Sequence, residues 1–184
     1  MSRQRQDVLS YFWAPLCAIG AHGPEGPNAQ ICVSVFGASI VPDRPRLLVS
    51  LSKTNFTHEL VQKSGTMTIT VLSEQHAELL RPLGLRTGRD GEKLAGLTVE
   101  LTAGGDPFFP GGVGYADCEV LEEFEAGDST LFLVAVRSRS DLGGSRPLQW
   151  SEAQDVVGEQ FLKDWLVKTV REQEAARAIM VWRD

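Results

Sequence analysis

Residues 28–36 read NAQICVSVF and residues 39–57 read SIVPDRPRLLVSLSKTNFT, and these two runs decide the fold. Each run contains a strand-length stretch rich in Val, Ile and Leu, and each places small polar residues at the strand ends. Asn55 is a suitable N-cap for a helix over residues 56–64, and Gly65 is suited to end that helix. The pattern therefore predicts two strands followed by a capped helix.

Outside these runs, short strand patterns alternate with turns until the apolar spacing becomes helical near the C-terminus. Further strands are predicted at residues 15–21, 66–72, 97–101, 115–124 and 130–136. Ser73 is suited to cap a short helix that Pro82 ends, and residues 126–129 are typical of a hairpin turn. Over residues 152–177 one helical stripe is apolar: Val157, Phe161, Leu162, Trp165, Leu166 and Val170. The pattern indicates a mainly β fold of the α+β class, built on a small barrel with helical additions.

Composition bounds the domain number and excludes two classes of partner. With 184 residues, 42% of them hydrophobic, the chain can bury one substantial core, so residues 1–184 are expected to form a single domain. The net charge of -6 argues against a nucleic-acid or anionic-membrane surface, because either requires an excess of Lys and Arg. No apolar run approaches the roughly 18 residues of a membrane-spanning helix.

The cysteines and histidines give no sign of a disulfide framework or a metal centre. Cys17, Cys32 and Cys118 are widely spaced and lie in apolar stretches, which indicates reduced, buried thiols and a cytoplasmic location. The three histidines lack metal-ligand spacing, so no metal site is expected. The sequence also lacks Gly-x-Gly-x-x-Gly, Walker and Gly-x-Ser-x-Gly motifs, which argues against Rossmann, P-loop and serine hydrolase sites.

The two runs that decide the fold also carry the candidate chemistry. A strand end that turns into a helix presents unpaired N–H groups, and a phosphate satisfies them while Lys53 neutralises its charge. Small hydroxyls and backbone amides beside such a terminus suit an enclosed, phosphorylated aromatic cofactor. A buried barrel strand and an ordinary capped helix are the simpler readings of the same residues.

The same stretch resembles the FMN-binding split-barrel family of flavin reductases. That family reads roughly Asn-Gly-x-Thr-x-Ser-Ser, then Ser-x-x-Pro-Pro, then Lys-x-Ser-x-Thr. Ser34 matches the second serine of the first motif, whereas Ile31 and Val33 stand where Thr and Ser are more usual. Lys53, Asn55 and Thr57 fall on the last motif, with Asn in place of Ser. The resemblance covers roughly residues 13–150, leaving residues 151–184 as a helical extension.

The resemblance implies a split β-barrel that forms a homodimer and binds FMN non-covalently near the subunit interface. It implies hydride transfer from NAD(P)H to the flavin, with orientation and electrostatics supplied by the protein and no catalytic side chain. FAD remains possible as the flavin, and an electron acceptor or oxygenase is a possible partner. The implied cofactor-binding residues are Asn28, Ile31, Cys32, Val33, Ser34, Ser50, Ser52, Lys53, Asn55 and Thr57.

A third motif departs from the family and bears on the co-substrate. Residues 127–129 read Gly-Asp-Ser, where the family commonly has Gly-Asp-His and associates the histidine with the nicotinamide. His22, Asp128 and Ser129 are therefore assigned to the nicotinamide side, and Ser129 puts direct reduction by NAD(P)H in doubt. Two alternatives stay open: a flavin-binding electron carrier or sensor, and a barrel without cofactor that serves as an interaction module.

Overall fold

The computed structural model describes residues 8–180, and its regular structure is mainly β. The strands are β1 (Cys17–Gly23), β2 (Gly26–Cys32), β3 (Val35–Gly37), β4 (Arg46–Ser52), β5 (Thr66–Val71), β6 (Glu100–Leu101), β7 (Pro107–Phe108), β8 (Gly114–Glu125) and β9 (Ser129–Asp141). The helices are α1 (Phe56–Ser64), α2 (Leu80–Leu85), α3 (Trp150–Val156) and α4 (Gly158–Ile179). Short 3-10 helices lie at Val8–Phe12, Glu74–Leu79 and Gly88–Asp90.

Seven of the strands form one antiparallel sheet in the order β2-β1-β5-β8-β9-β4-β3, and β6 pairs with β7 separately. β2 and β3 follow each other in the chain but lie at opposite edges of this sheet, so the sheet must curl. The edges meet where Sγ of Cys32, the last residue of β2, donates to the carbonyl of Ser50 on β4 at 3.6 Å. We call this meeting point the seam. The mainly β, split-barrel prediction is confirmed.

Two apolar clusters hold the barrel and the helices together. The first fills the barrel with inward-facing strand residues, including Ile19, Val49, Leu51, Met67 and Phe132. The second lies between the outer face of the sheet and the helices, and joins Leu16, Leu72, Leu80, Leu83, Phe109 and Phe161. Phe161 is 1% exposed, so α4 is anchored to the rest of the chain by a fully buried side chain.

Local signals fixed α1 as predicted. It begins after Asn55, and Gly65 ends it with φ 69°, a left-handed conformation that glycine adopts without a steric penalty. The Gly65 amide donates to the carbonyl of Val61 at 2.9 Å. The hairpin turn at residues 126–129 is also confirmed, because Ala126 donates to the carbonyl of Ser129 at 3.0 Å.

Some predicted boundaries were wrong. The single helix over residues 152–177 is two helices, because Gly158 adopts φ 79° and breaks the run between α3 and α4. The strand at residues 97–101 shortens to Glu100–Leu101. Pro82 does not end a helix but lies in the first turn of α2, where proline is tolerated because the first amides need no intrahelical acceptor.

The apolar stripe on the last helix is only partly core. Phe161 is buried, and Trp165 packs beside it with ring centroids 5.7 Å apart. Leu166 and Val170 instead keep 58% and 46% of their surface exposed. One side of α4 therefore faces the barrel, and part of its predicted apolar stripe faces outward.

Candidate functional site

The described part of the chain holds a cleft of about 460 Å³ beside the N-terminus of α1, which we call the α1 cleft. Four segments form its walls: β2 (Asn28, Gln30 and Ile31), the start of α1 (residues 54–57), residues 83–90 with Lys93, and α4 (Trp165, Lys168 and Glu172). This volume falls in the range of about 300–1,000 Å³ that is usual for small-molecule sites. The cleft can therefore enclose a ligand of cofactor size.

The N-terminus of α1 opens into this cleft with unused backbone donors. Asn55 occupies the N-cap position, but its side chain makes no capping hydrogen bond. Within residues 8–180, the amides of Phe56 and Thr57 have no hydrogen-bond acceptor. Free amides and the positive end of the helix dipole both attract anions. α1 therefore offers the cleft a position suited to a phosphate.

β2 contributes buried polar groups that lack partners. Asn28 is 3% exposed, and its Nδ2 donates to Thr57 Oγ1 at 2.7 Å, which ties β2 to the first turn of α1. Asn28 Oδ1 and Gln30 Oε1 are buried and have no hydrogen-bond donor in the described structure. A buried acceptor without a donor is costly, by about 1–3 kcal/mol. A ligand with N–H or hydroxyl groups would satisfy both oxygens.

Three positively charged side chains lie at one end of the cleft: Arg86, Lys93 and Lys168. Lys93 is only 5% exposed, and no described residue forms a hydrogen bond or ion pair with it. The pKa of Lys93 is lowered to about 7, mainly by burial and in smaller part by the neighbouring positive charges of Lys168 and Arg86. An anion in the cleft would compensate this amine, so Lys93 is the strongest candidate for binding a phosphate.

The sequence interpretation missed Lys93. No motif in residues 87–93 marks this lysine. Its burial results from contacts with distant segments, the residues of α2 and α4 that line the same cleft.

Arg89 organises the wall opposite Lys93. Its Nη1 donates to the carbonyl of Thr54 at 3.0 Å, and its Nη2 pairs with Glu59. The guanidinium lies 5.5 Å from the centre of the Phe56 ring, within cation–π distance. Arg89 therefore fixes the segment after α2 against the first turn of α1, and its charge is already partnered.

A larger cleft of about 810 Å³ adjoins the α1 cleft and shares Asn28, Phe56, Gly88 and Arg89 with it. It is formed by the turn between β1 and β2 and by residues 88–99. It contains neither Lys93 nor the amide of Thr57 among its lining residues. The phosphate-binding features are therefore concentrated in the α1 cleft.

The structure brings together four of the residues predicted to bind the cofactor: Asn28, Ile31, Asn55 and Thr57 line the α1 cleft. Lys53 lies outside it. Its Nζ contacts Glu125 Oε1 at 2.5 Å and donates to the carbonyl of Gly127 at 2.7 Å, beside a groove that also contains His58. Binding of a cofactor by Lys53 stays a prediction, and the lysines that line the α1 cleft are Lys93 and Lys168.

The remaining predicted residues lie along the seam and beyond it. Cys32 is buried in the barrel core, and burial raises its pKa to about 11. The Ser50 amide donates to the carbonyl of Ser34, which extends the pairing of β3 with β4, while Val33 packs against the cluster beneath the helices. Ser52 Oγ lies 2.9 Å from Thr54 Oγ1. Contact of these five residues with a flavin stays a prediction.

The residues assigned to the nicotinamide side lie in two separate places. His22 Nδ1 contacts Asp106 Oδ1 at 2.6 Å, and the Asp106 side chain is completely buried. Ser129 begins β9 opposite Ser52, and the carbonyl of Asp128 accepts the amide of Lys53 at 3.0 Å. His22 lies near the end of β1 and Ser129 at the start of β9, two strands that are not neighbours in the sheet, and their shared role stays a prediction.

Two further classes of site were searched for across the described residues. Between residues 8 and 180, no group of three or more His, Cys, Asp or Glu side chains is arranged to hold a metal ion. No helix in that range combines the length and the apolar character needed to cross a membrane.

Comparison with known proteins bears on the identity of the cleft's ligand. The flavin reductase like domain matches residues 9–156. The chain is 29% identical over 126 residues to high molecular weight rubredoxin from Moorella thermoacetica, covering 67% of this chain and 54% of that protein. It is 25% identical over 145 residues to HsaB, the reductase subunit of a flavin-dependent monooxygenase from Mycobacterium tuberculosis, covering 79% of this chain and 75% of HsaB.

A solved structure agrees with these sequence matches. An FMN-binding protein from Thermus thermophilus, crystallised with bound 1-cyclohex-2-enone, superposes with a TM-score of 0.67 at 25% identity. The superposition covers 80% of this chain and 86% of that one. The domain match spans most of the chain, and the barrel and the phosphate-suited cleft agree with it. The chain therefore belongs to the flavin reductase-like family.

Proposed function

We propose that this protein is an NAD(P)H-dependent flavin reductase that binds FMN in the α1 cleft. The observation that carries the proposal is the buried, unpartnered Lys93 in a cleft that also contains the open N-terminus of α1. Lys93 and the amides of Phe56 and Thr57 would hold the phosphate. Asn28 Oδ1 and Gln30 Oε1 would accept hydrogen bonds from donors on the flavin. When bound, the flavin supplies the redox chemistry by accepting a hydride from the reduced nicotinamide.

The protein's own contribution is binding and orientation. Asn28 is fixed by its bond to Thr57, and Phe56 is fixed beneath Arg89, so both polar walls are rigid before a ligand enters. A preorganised cleft of this kind holds a cofactor without requiring an acid or base from the chain. No side chain is therefore assigned a catalytic role.

FMN is preferred to FAD in this proposal because one phosphate-binding set is visible in the cleft. Mass spectrometry of the cofactor released by heating the purified protein distinguishes the two flavins. FMN is expected in near-stoichiometric amount, and stoichiometric FAD would contradict the preference. A purified protein without absorption in the flavin bands, and without affinity for added flavin, would contradict the function itself.

The assignment of the phosphate to Lys93 has a direct test with a matched control. Lys93→Met should weaken FMN binding by about ten- to a hundredfold, the scale of one hydrogen bond to a charged group. Riboflavin lacks the phosphate, so its affinity should change little. Lys53→Met removes the same charge from outside the cleft and should leave both affinities unchanged. Loss of FMN binding in the Lys53 variant but not in the Lys93 variant would place the phosphate elsewhere.

A flavin-binding electron carrier is the second candidate, and Ser129 is the observation that favours it. Ser129 stands where the family commonly has a histidine associated with the nicotinamide. Stopped-flow reduction of the FMN-loaded protein by NADH and NADPH separates the two functions. Fast reduction by either nucleotide supports the reductase, whereas reduction only by a chemical reductant or a partner protein supports the carrier.

We propose further that the protein is a homodimer that works in the cytoplasm and passes electrons to an acceptor such as an oxygenase component. The outward side of α4 supports the dimer, because Leu166, Val167 and Val170 are 46–58% exposed and adjacent on one helix. Light scattering at micromolar concentration should report twice the chain mass, and a monomer would contradict this assembly. Three unpaired, buried cysteines suit a reducing compartment.

A further inference from the structure

α4 forms one wall of the α1 cleft, although it begins beyond the end of the family match at residue 156. Trp165, Lys168 and Glu172 lie one turn apart on α4 and all line the cleft. A comparison restricted to the family domain would therefore describe the cleft without this wall.

The attachment of α4 is tight at the cleft. Trp165 packs against Trp150 with ring centroids 5.1 Å apart. A Cβ atom on Gly84 would come within 2.7 Å of the Trp165 ring, so α2 and α4 touch where only glycine fits. These contacts set the position of Lys168 relative to Lys93. α4 is thus a fixed wall of the site.

On this wall, Lys168 interacts with both a negative and a positive side chain. Lys168 pairs with Glu172 one turn along the helix, and its Nζ lies 5.9 Å from the centre of the Trp165 ring. Lys168 is also close enough to Lys93 to disfavour a second positive charge there. The other charged side chains lining the cleft are Arg86, Arg89 and Asp90, and Arg89 is already engaged by Glu59.

We propose that α4 sets the affinity of the α1 cleft for phosphorylated flavin, with Lys168 as a further phosphate-positioning residue and Glu172 as its internal competitor. This inference rests on the proposed flavin site. In the ligand-free cleft Glu172 holds Lys168. A bound phosphate dianion would compete with the Glu172 carboxylate for the Lys168 ammonium and draw it toward Lys93. The negative charge of the phosphate would also relieve the repulsion between Lys168 and Lys93.

The proposal predicts changes of opposite sign on one helix. Lys168→Met should weaken FMN binding about tenfold, while Glu172→Gln should strengthen it roughly threefold by releasing Lys168. Neither change should alter riboflavin affinity, since riboflavin carries no phosphate. Lys168→Arg, which keeps the charge, should restore most of the FMN affinity. Lys163→Met removes the same charge from an exposed position on α4 and should leave both affinities unchanged.

The measurement is fluorescence titration of flavin-free protein with FMN and with riboflavin, on variants whose thermal unfolding matches the unsubstituted protein. Equal loss of FMN and riboflavin affinity in Lys168→Met would show that α4 contributes packing but no phosphate contact, and would overturn the proposal. Unchanged FMN affinity in both the Lys168 and Glu172 variants, with the Lys93→Met effect intact, would overturn it while leaving the flavin site standing. Absence of any flavin binding by the unsubstituted protein would overturn the function and the inference together.

Discussion

Replacing Lys93 with methionine should make the flavin-free protein more stable at neutral and acidic pH. Methionine keeps the long apolar side chain but removes a charge from a position that is 5% exposed. The pKa of Lys93 is lowered from 10.5 to about 7, mainly by burial. Because one pKa unit is worth about 1.36 kcal/mol, this lowering corresponds to roughly 5 kcal/mol of disfavoured charged amine.

The sign of the pH dependence follows from proton binding. Between about pH 7 and 10.5 the unfolded chain still holds the amine proton, whereas the folded chain has released it. The unfolded state therefore binds more protons in this window, and the stability of the unsubstituted protein should rise with pH. Below pH 7 both states are protonated, and the folded state carries the whole penalty of the buried charge.

The assay is urea unfolding of flavin-free protein, followed by circular dichroism from pH 6 to pH 10. At pH 6 the Lys93→Met variant should exceed the unsubstituted protein by roughly 3–5 kcal/mol in unfolding free energy, and the gap should close toward pH 10. Lys163→Met, at an exposed position, is the control and should show no gap. Parallel pH profiles for the unsubstituted protein and the Lys93 variant would refute the reasoning. Saturating FMN should narrow the gap at pH 6 by about 1.4–2.7 kcal/mol, because a ligand of the folded state stabilises it by mass action and the unsubstituted protein should bind FMN about ten- to a hundredfold more tightly.

Three further predictions concern packing, the co-substrate and the thiols. Gly84→Ala places a methyl group against the Trp165 ring and should destabilise the fold by about 1–3 kcal/mol in thermal unfolding. An unchanged melting temperature would show that α4 shifts to accommodate the methyl group without a cost in stability. Ser129→His should raise kcat/KM for NAD(P)H roughly tenfold, about 1.4 kcal/mol, and equally fast reduction by both proteins would argue against a role for this turn. The three cysteines, whose pKa values burial raises to about 11–12, should ignore a thiol-specific reagent at pH 8 until urea unfolds the protein, and rapid labelling of the folded protein would contradict this.

The sequence was informative where structure depends on near neighbours. Asn55 and Gly65 delimit α1 because capping and left-handed backbone geometry are properties of single residues. The turn at residues 126–129 was predictable for the same reason. The division at Gly158 was not, because a glycine inside a helical apolar pattern is often tolerated, and only the final packing of α3 and α4 requires its positive φ.

The candidate site was less predictable than the fold because it is built from distant segments. Lys53 has the right spacing beside α1, yet its side chain turns toward Glu125, and adjacent positions on a strand end face opposite sides. Lys93 is buried because α2 and α4 pack around it, and the sequence of residues 87–93 alone does not predict that packing. Motif spacing therefore predicted the N-terminus of α1, whereas the buried lysine of the cleft, Lys93, lies in a segment without a motif.

The hydrogen bond between Asn28 and Thr57 has a consequence for the order of events during folding. Asn28 lies on the edge strand β2 and Thr57 follows β4, so their hydrogen bond joins segments from the two edges of the sheet. The loop that this contact closes spans only 29 residues, and β8 and β9 lie outside it, so the contact can form before those strands have paired. The hydrogen-bonded wall between β2 and α1 can therefore be in place before the sheet is complete.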